Sequence, residues 1–192
     1  RAGTRIGPYL VGHVAALAGV ARLTNHDSGG PGFMSTGVVI VLLVLTGAAM
    51  NYGLPLVVRA YSVSRLRRAC AREGALVLTY DDGPSAELTP RVQGVLEQYG
   101  ARGTFLCMGR KAGEHGELIA QLARRGHEIG SHSEHHRNGW RCFPALELVD
   151  AVRGDRSIRP FGGKGLYRPP FGKLTFATMA WAWLTGRRIA WW

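Results

Sequence analysis

Hydrophobic and polar positions divide this chain into three textures. From Ser28 to Val58 no side chain is charged. Within that stretch Met34 to Val58 is an apolar run of about 25 residues, against the roughly 20 a helix needs to cross a bilayer core. Glycine and proline inside it are tolerated in membrane helices. The pattern predicts a transmembrane segment over 28–58. An earlier uncharged stretch, Ile6 to Ala21, lies in an amino-terminal segment 1–27. It is shorter and interrupted by His13, and reads as a second span or an interfacial helix. Arg59, Arg65, Arg67, Arg68 and Arg72 then mark 59–74 as a basic juxtamembrane linker.

From Ala75 onward, short apolar runs alternate with helical periodicity. Ala75 to Tyr80, Gly103 to Met108, His127 to Ser131, Leu166-Tyr167 and Arg188 to Trp192 read as strands. Between them, Val92, Val95 and Leu96 recur at helical spacing in Leu88 to Tyr99, closed by Gly100. Leu118, Ile119 and Leu122 share a face in Glu114 to Arg125, ended by Gly126, and Leu174 to Thr185 predicts a further helix. Regular alternation of this kind implies an α/β fold with a parallel sheet or barrel over 75–192.

Such folds place reactive groups at the carboxyl ends of their strands, and three of the predicted ends carry them. Asp81 and Asp82 close the first, followed by Gly83-Pro84 to turn the chain. Two carboxylates held close cannot both stay charged cheaply without a cation, and a metal ligand beside a general base resolves the conflict. Past the third strand, His132 and His136 are spaced i, i+4 in His132-Ser133-Glu134-His135-His136. On a helical turn they share one face and can grip one cation. Past the fourth, Arg168-Pro169-Pro170-Phe171-Gly172 offers an arginine pre-positioned to pair with a carboxylate, in a turn that can aim backbone N–H groups at a developing oxyanion.

In order and content the three segments resemble the NodB-homology polysaccharide deacetylases, carbohydrate esterase family 4. That family's T-F-D-D-G-P is matched by Thr79-Tyr80-Asp81-Asp82-Gly83-Pro84 and its H-S/T-x-x-H by His132, Ser133 and His136. Its R-x-P-Y/F-G is matched by Arg168, Pro170, Phe171 and Gly172. The resemblance implies a distorted (β/α) barrel, incomplete here, and the apolar stretches described above place one or two transmembrane helices before it. It implies that Asp81 is the general base and that Asp82, His132 and His136 hold a divalent metal, zinc first, with cobalt or nickel as alternatives. Arg168 then orients Asp81, and the Phe171 backbone N–H stabilises the oxyanion. The implied substrate is a polysaccharide or oligosaccharide bearing N-acetyl amino sugars, hydrolysed at a non-peptide carbon–nitrogen bond. Two other readings keep the fold: a non-catalytic glycan-binding membrane protein, and a hydrolase of another amide or imide.

This chain departs from the family pattern in two places. Arg137 stands where the family often has proline, and the later acidic-aromatic and acid-histidine motifs are missing, with no histidine after His136. The chain starts at Arg1 and stops at Trp191-Trp192 inside a strand-like run, which reads as truncation.

Composition adds little to this picture. Hydrophobic residues make up 46%, enough for a core, and the formal net charge of +11 favours anionic partners. Arginines flanking a membrane segment account for the charge, and with no recognisable nucleic-acid module the expected partners are substrate and membrane lipid rather than nucleic acid. Cys70, Cys107 and Cys142 give neither a disulfide framework nor a CxxC site. A cell-wall substrate places the catalytic domain outside the cytoplasm, whereas the arginines after Val58 favour the inside.

Overall fold

The computed structural model describes residues 35–192. The first predicted span, Ile6 to Ala21, lies outside the described residues. The chain divides into two compact units, Arg1–Met50 and Asn51–Trp192.

In the first unit, helix α1 (Thr36–Ala48) exposes its valines and leucines almost throughout. A π-helical turn, Ala49–Gly53, follows, and helix α2 (Leu54–Glu73), which falls in the second unit, carries Pro55 in its first turn. Proline has no N–H to donate back along the helix, and a π turn immediately upstream is one way to absorb that interruption. Among the described residues, Thr36–Glu73 is the one helical stretch long and apolar enough to cross a membrane, and only 6% of its apolar window is buried. The stretch read as a linker is therefore helical, ended by Gly74 at φ 60°. The second unit also begins earlier than Ala75. Leu54, Val58 and Val63 pack against Leu174, Met179 and Trp191, so the end of the predicted apolar span contributes to a protein core.

The second unit is built on five parallel strands in sequential order: β1 (Thr79–Gly83), β2 (Thr104–Cys107), β3 (Glu128–Ser131), β4 (Leu166–Tyr167) and β5 (Arg188–Ile189). Helices α3 (Leu88–Gln98), α4 (Gly109–Arg124), α5 (Pro144–Ile158) and α6 (Phe176–Leu184) connect them. Sequential parallel strands with helical crossovers are the repeating unit of a (β/α) barrel. Phe105, Cys107, Ile119, Leu122, Ile129 and Ile158 form the main core between sheet and helices. Cys107 is a small, buried core residue, and burial pushes its thiol pKa up to about 12.

Three elements differ from the sequence pattern. The first strand begins at Thr79 rather than Ala75; Leu76 and Val77 are exposed, and pairing with β2 starts only at Thr79 opposite Thr104. Helix α4 starts at Gly109 rather than Glu114, with a kink at His115 (φ −129°, ψ 28°) that hides its first turn from the periodicity. Helix α5 was not foreseen at all. Its buried face carries Glu147, Asp150, Gly154 and Asp155, while Leu146 and Val149 are exposed. With Ala151 and Ile158 also buried on it, that face mixes charged and apolar positions and blurs the usual amphipathic pattern.

Candidate metal centre

The site gathers at the carboxyl ends of β1, β3 and β4. In a regular strand Asp81 and Asp82 would point to opposite faces. Pairing of β1 with β2 slips between Asp81 and Gly83, and Asp82 has φ 66°. This local bulge re-aims the second carboxylate. Asp81 Oδ1 meets Arg168 Nη1 at 2.8 Å, while Asp82 Oδ1 lies 3.2 Å from His136 Nε2 and 3.7 Å from His132 Nε2. The strand end thus delivers two adjacent carboxylates to two different partners.

His132 and His136 do converge, with ring centroids 4.9 Å apart, but not on a helical turn. Residues after Ser131 form a loop, with Ser133 at φ 64° and His136 at φ 59°. These two bends lie in the loop that brings both imidazoles to Asp82. His132 is buried, and its Nδ1 lies 2.8 Å from the Arg168 carbonyl oxygen. A carbonyl only accepts, so Nδ1 carries the proton and Nε2 presents its lone pair to the site. Burial also holds the His132 pKa below its usual value, against the opposing pull of Asp81.

Neutral His132 therefore turns a bare lone pair toward an anionic carboxylate, an arrangement that a cation satisfies. The three donor atoms all lie within 4.8 Å of one another. Ligands bound tetrahedrally at 2.0–2.1 Å would stand about 3.3 Å apart, and the two Asp82–His separations bracket that value. Asp82, His132 and His136 fit a divalent metal, and a two-histidine, one-carboxylate set leaves positions open for water and substrate.

Arg168 is almost wholly buried. Its Nη1 also donates to Thr79 Oγ1 at 2.9 Å, so it grips β1 at two points, and its guanidinium lies over the Trp192 ring. Phe171 sits at φ 57° in the 3₁₀ turn Pro170–Gly172, with its ring 4.7 Å from that of His136. The non-glycine residues with positive φ among the described residues are Asp82, Ser133, His136 and Phe171. All four belong to this one site. Strain of about 1–3 kcal/mol per such residue persists only where surrounding structure over-determines it, and it clusters at functional sites.

Several contributors carried no signal of their own in the sequence. Thr79 was legible only as part of a motif. Lys111 Nζ donates to the Asp82 carbonyl at 2.7 Å, bracing the bulge from α4. Asp150, on the unforeseen α5, contacts the histidine loop at several points.

The fold and site together define a parallel α/β protein with a candidate metal centre at its strand ends. The sequence profile of the polysaccharide deacetylase family matches residues 68–188, and the chain belongs to that family. It is 28% identical over 109 residues to a peptidoglycan-N-acetylglucosamine deacetylase of Bacillus cereus, covering 56% of this chain and 40% of the relative. It is 35% identical over 109 residues to a chitooligosaccharide deacetylase of a Bradyrhizobium species, covering 55% of this chain and 50% of that one. Among solved structures, the family 4 carbohydrate esterase from Streptomyces lividans in complex with acetate superposes with a TM-score of 0.56 at 27% identity, covering 61% of this chain and 62% of that one. The chain spans about half the length of the curated relatives it matches.

Proposed function

We propose that this protein is a metal-dependent hydrolase that removes N-acetyl groups from the amino sugars of a chitin-like or peptidoglycan-like polysaccharide. The observation that carries the reading is the convergence of Asp82, His132 and His136 beside an Asp81 held by buried Arg168. The similarity to deacetylases of peptidoglycan and of chitooligosaccharides supports the choice of substrate class.

Asp82, His132 and His136 would hold the metal, which when bound supplies Lewis acidity toward the acetamide carbonyl and toward water. Zinc suits two imidazoles and a carboxylate best, with cobalt and nickel next. Asp81 takes the proton from the attacking water, and Arg168 fixes the direction in which its carboxylate points. The Phe171 backbone N–H, turned by the residue's left-handed conformation, donates to the developing oxyanion. Water attacks the acetamide carbon, the proton held by Asp81 passes to the acetamide nitrogen as its C–N bond breaks, and acetate and the free amine result.

An Asp81→Asn variant tests these roles. It retains the metal and loses acetate release from an N-acetylated chitin oligomer and from peptidoglycan. Undiminished turnover in that variant contradicts the assignment. Metal bound without turnover by the wild type favours a glycan-binding protein instead.

The reading includes a membrane anchor over the apolar part of Thr36–Glu73, with the catalytic unit on the extracytoplasmic side where such glycans lie. A reporter fused at Gly74 tests that side, and a cytoplasmic result overturns the cell-wall assignment.

A further inference from the structure

The loop carrying both histidine ligands contains two left-handed residues and no glycine, so the chain does not adopt it cheaply. The α4 N-terminus holds two of its carbonyls, Gly109 N–H donating to Ser133 O at 2.9 Å and Arg110 N–H to Glu134 O at 3.2 Å, while the loop's own N–H groups from 134, 135 and 137 are taken by one residue of α5. The carboxylate of Asp150, on α5, is 4% exposed. It accepts the backbone N–H of His135 on both oxygens at 3.2 Å and that of Arg137 at 3.4 Å. Its Oδ1 also meets His135 Nδ1 at 2.9 Å and Arg137 Nε at 3.4 Å. The Ser133 hydroxyl bonds the same carboxylate and accepts the His136 N–H at 2.9 Å. The Asp150 backbone carbonyl accepts the Glu134 N–H at 3.0 Å. One residue therefore engages 133, 134, 135 and 137, the positions that surround His136.

A second feature of α5 points the same way. Gly154, one turn further on, lies so close to the loop that a Cβ there would stand 2.3 Å from the Ser133 carbonyl carbon and 2.6 Å from the Glu134 nitrogen. The helix accepts the loop into a notch and clamps it with Asp150. Burial of the carboxylate opposes its charge, yet the converging donors more than offset this and hold its pKa below the usual aspartate value. The anion is thus the form the loop requires.

We propose that Asp150 is the positioning residue of the metal centre: from α5 it fixes the 132–136 loop in the one conformation that aims His132 and His136 at a shared cation. The proposal rests on the metal reading above, and predicts that a residue touching neither metal nor substrate sets metal affinity. Losses of this kind run to about 10–100-fold.

Cobalt(II) titration followed by its visible d–d absorption reads the affinity and the ligand geometry together. The wild type takes up one equivalent with a tetrahedral spectrum. Asp150→Ala weakens binding by about 10–100-fold and alters the spectrum. Asp150→Asn, which keeps an oxygen for the His135 N–H, recovers part of the loss. Gly154→Ala, with the carboxylate intact, weakens binding by displacing the loop, and it carries the test if Asp150→Ala does not fold. Asp155→Asn removes a comparably buried carboxylate of the same helix whose partners, Arg159 and Arg187, lie outside the loop. It lowers thermal stability and leaves the cobalt affinity at the wild-type value. Wild-type affinity and spectrum in folded Asp150→Ala, or an equal loss in Asp155→Asn, overturns the proposal. Absence of cobalt uptake by the wild type overturns the metal reading and this proposal with it.

Discussion

Arg168 Nη1 lies 2.8 Å from Asp81 Oδ1 and is shared with Thr79 Oγ1, so a guanidinium from the end of β4 fixes a carboxylate at the end of β1. The same residue's backbone carbonyl receives His132 Nδ1. One residue thereby links the carboxylate of Asp81 to the tautomer of His132.

This linkage separates two effects of substitution. Arg168→Lys keeps the charge but loses the planar guanidinium that serves Asp81 and Thr79 from Nη1 while Nε reaches the Ala190 carbonyl, and it keeps the backbone carbonyl that orients His132. The expected outcome is a fall in kcat/KM of about 100-fold or more, roughly 2.7 kcal/mol of transition-state stabilisation, with zinc content per chain unchanged. Arg168→Ala additionally lowers the thermal midpoint, since it leaves Asp81 without its partner and opens a space in the buried region. Kinetics and metal analysis on the same preparations check both.

How much of this was legible in the sequence differs by element. That these side chains form candidate sites was readable because the chemistry they could do is carried by side-chain type and short spacing: Asp81-Asp82, His132 with His136, and Arg168 with Phe171. The means of bringing them together was not. The i, i+4 histidines suggested a helical turn, whereas two left-handed residues produce the convergence, and φ has no simple signature in Ser133 or His136. Helix α5 escaped because its buried face mixes Ala151 and Ile158 with Glu147, Asp150 and Asp155, while Leu146 and Val149 are exposed. Glu147, Asp150 and Asp155 are buried by specific partners supplied from distant segments, and no periodicity records those partners. The strand at Ala75 was placed too early because an apolar run marks burial potential rather than pairing.

Asp155 yields a prediction with a defined sign. Burial raises its pKa, but bonds from Arg187 and Arg159, both at 2.7 Å, outweigh that and leave it lowered from 3.8. A depressed carboxylate stabilises the fold above its unfolded pKa and loses that contribution as pH falls through the folded value. Asp155→Asn is expected to cost about 3 kcal/mol at pH 7. The gap between variant and wild type narrows once acidification passes below 3.8. Urea denaturation at both ends of that range measures it.

Glu147 has the opposite sign. Burial raises its pKa from 4.5, only partly countered by the Thr175 hydroxyl and N–H and the Thr178 hydroxyl, which all converge on Oε2. Its other oxygen has no partner among the described residues. A raised carboxylate contributes most below its unfolded pKa, and the contribution is lost as pH rises through the folded value. Glu147→Gln keeps an acceptor for the three donors and removes the charge. Its stability is expected to be flat with pH from 5 upward while the wild type declines, with the two curves crossing. Parallel curves contradict the burial account.

The most direct test of the central claim is acetate release by the wild-type protein from an N-acetylated amino-sugar oligomer, after metal is stripped with dipicolinate and zinc is titrated back. The account predicts that stripping abolishes release and that activity returns in proportion to added zinc, saturating at one ion per chain. Release that survives stripping, or zinc bound at one per chain with no acetate formed, contradicts it.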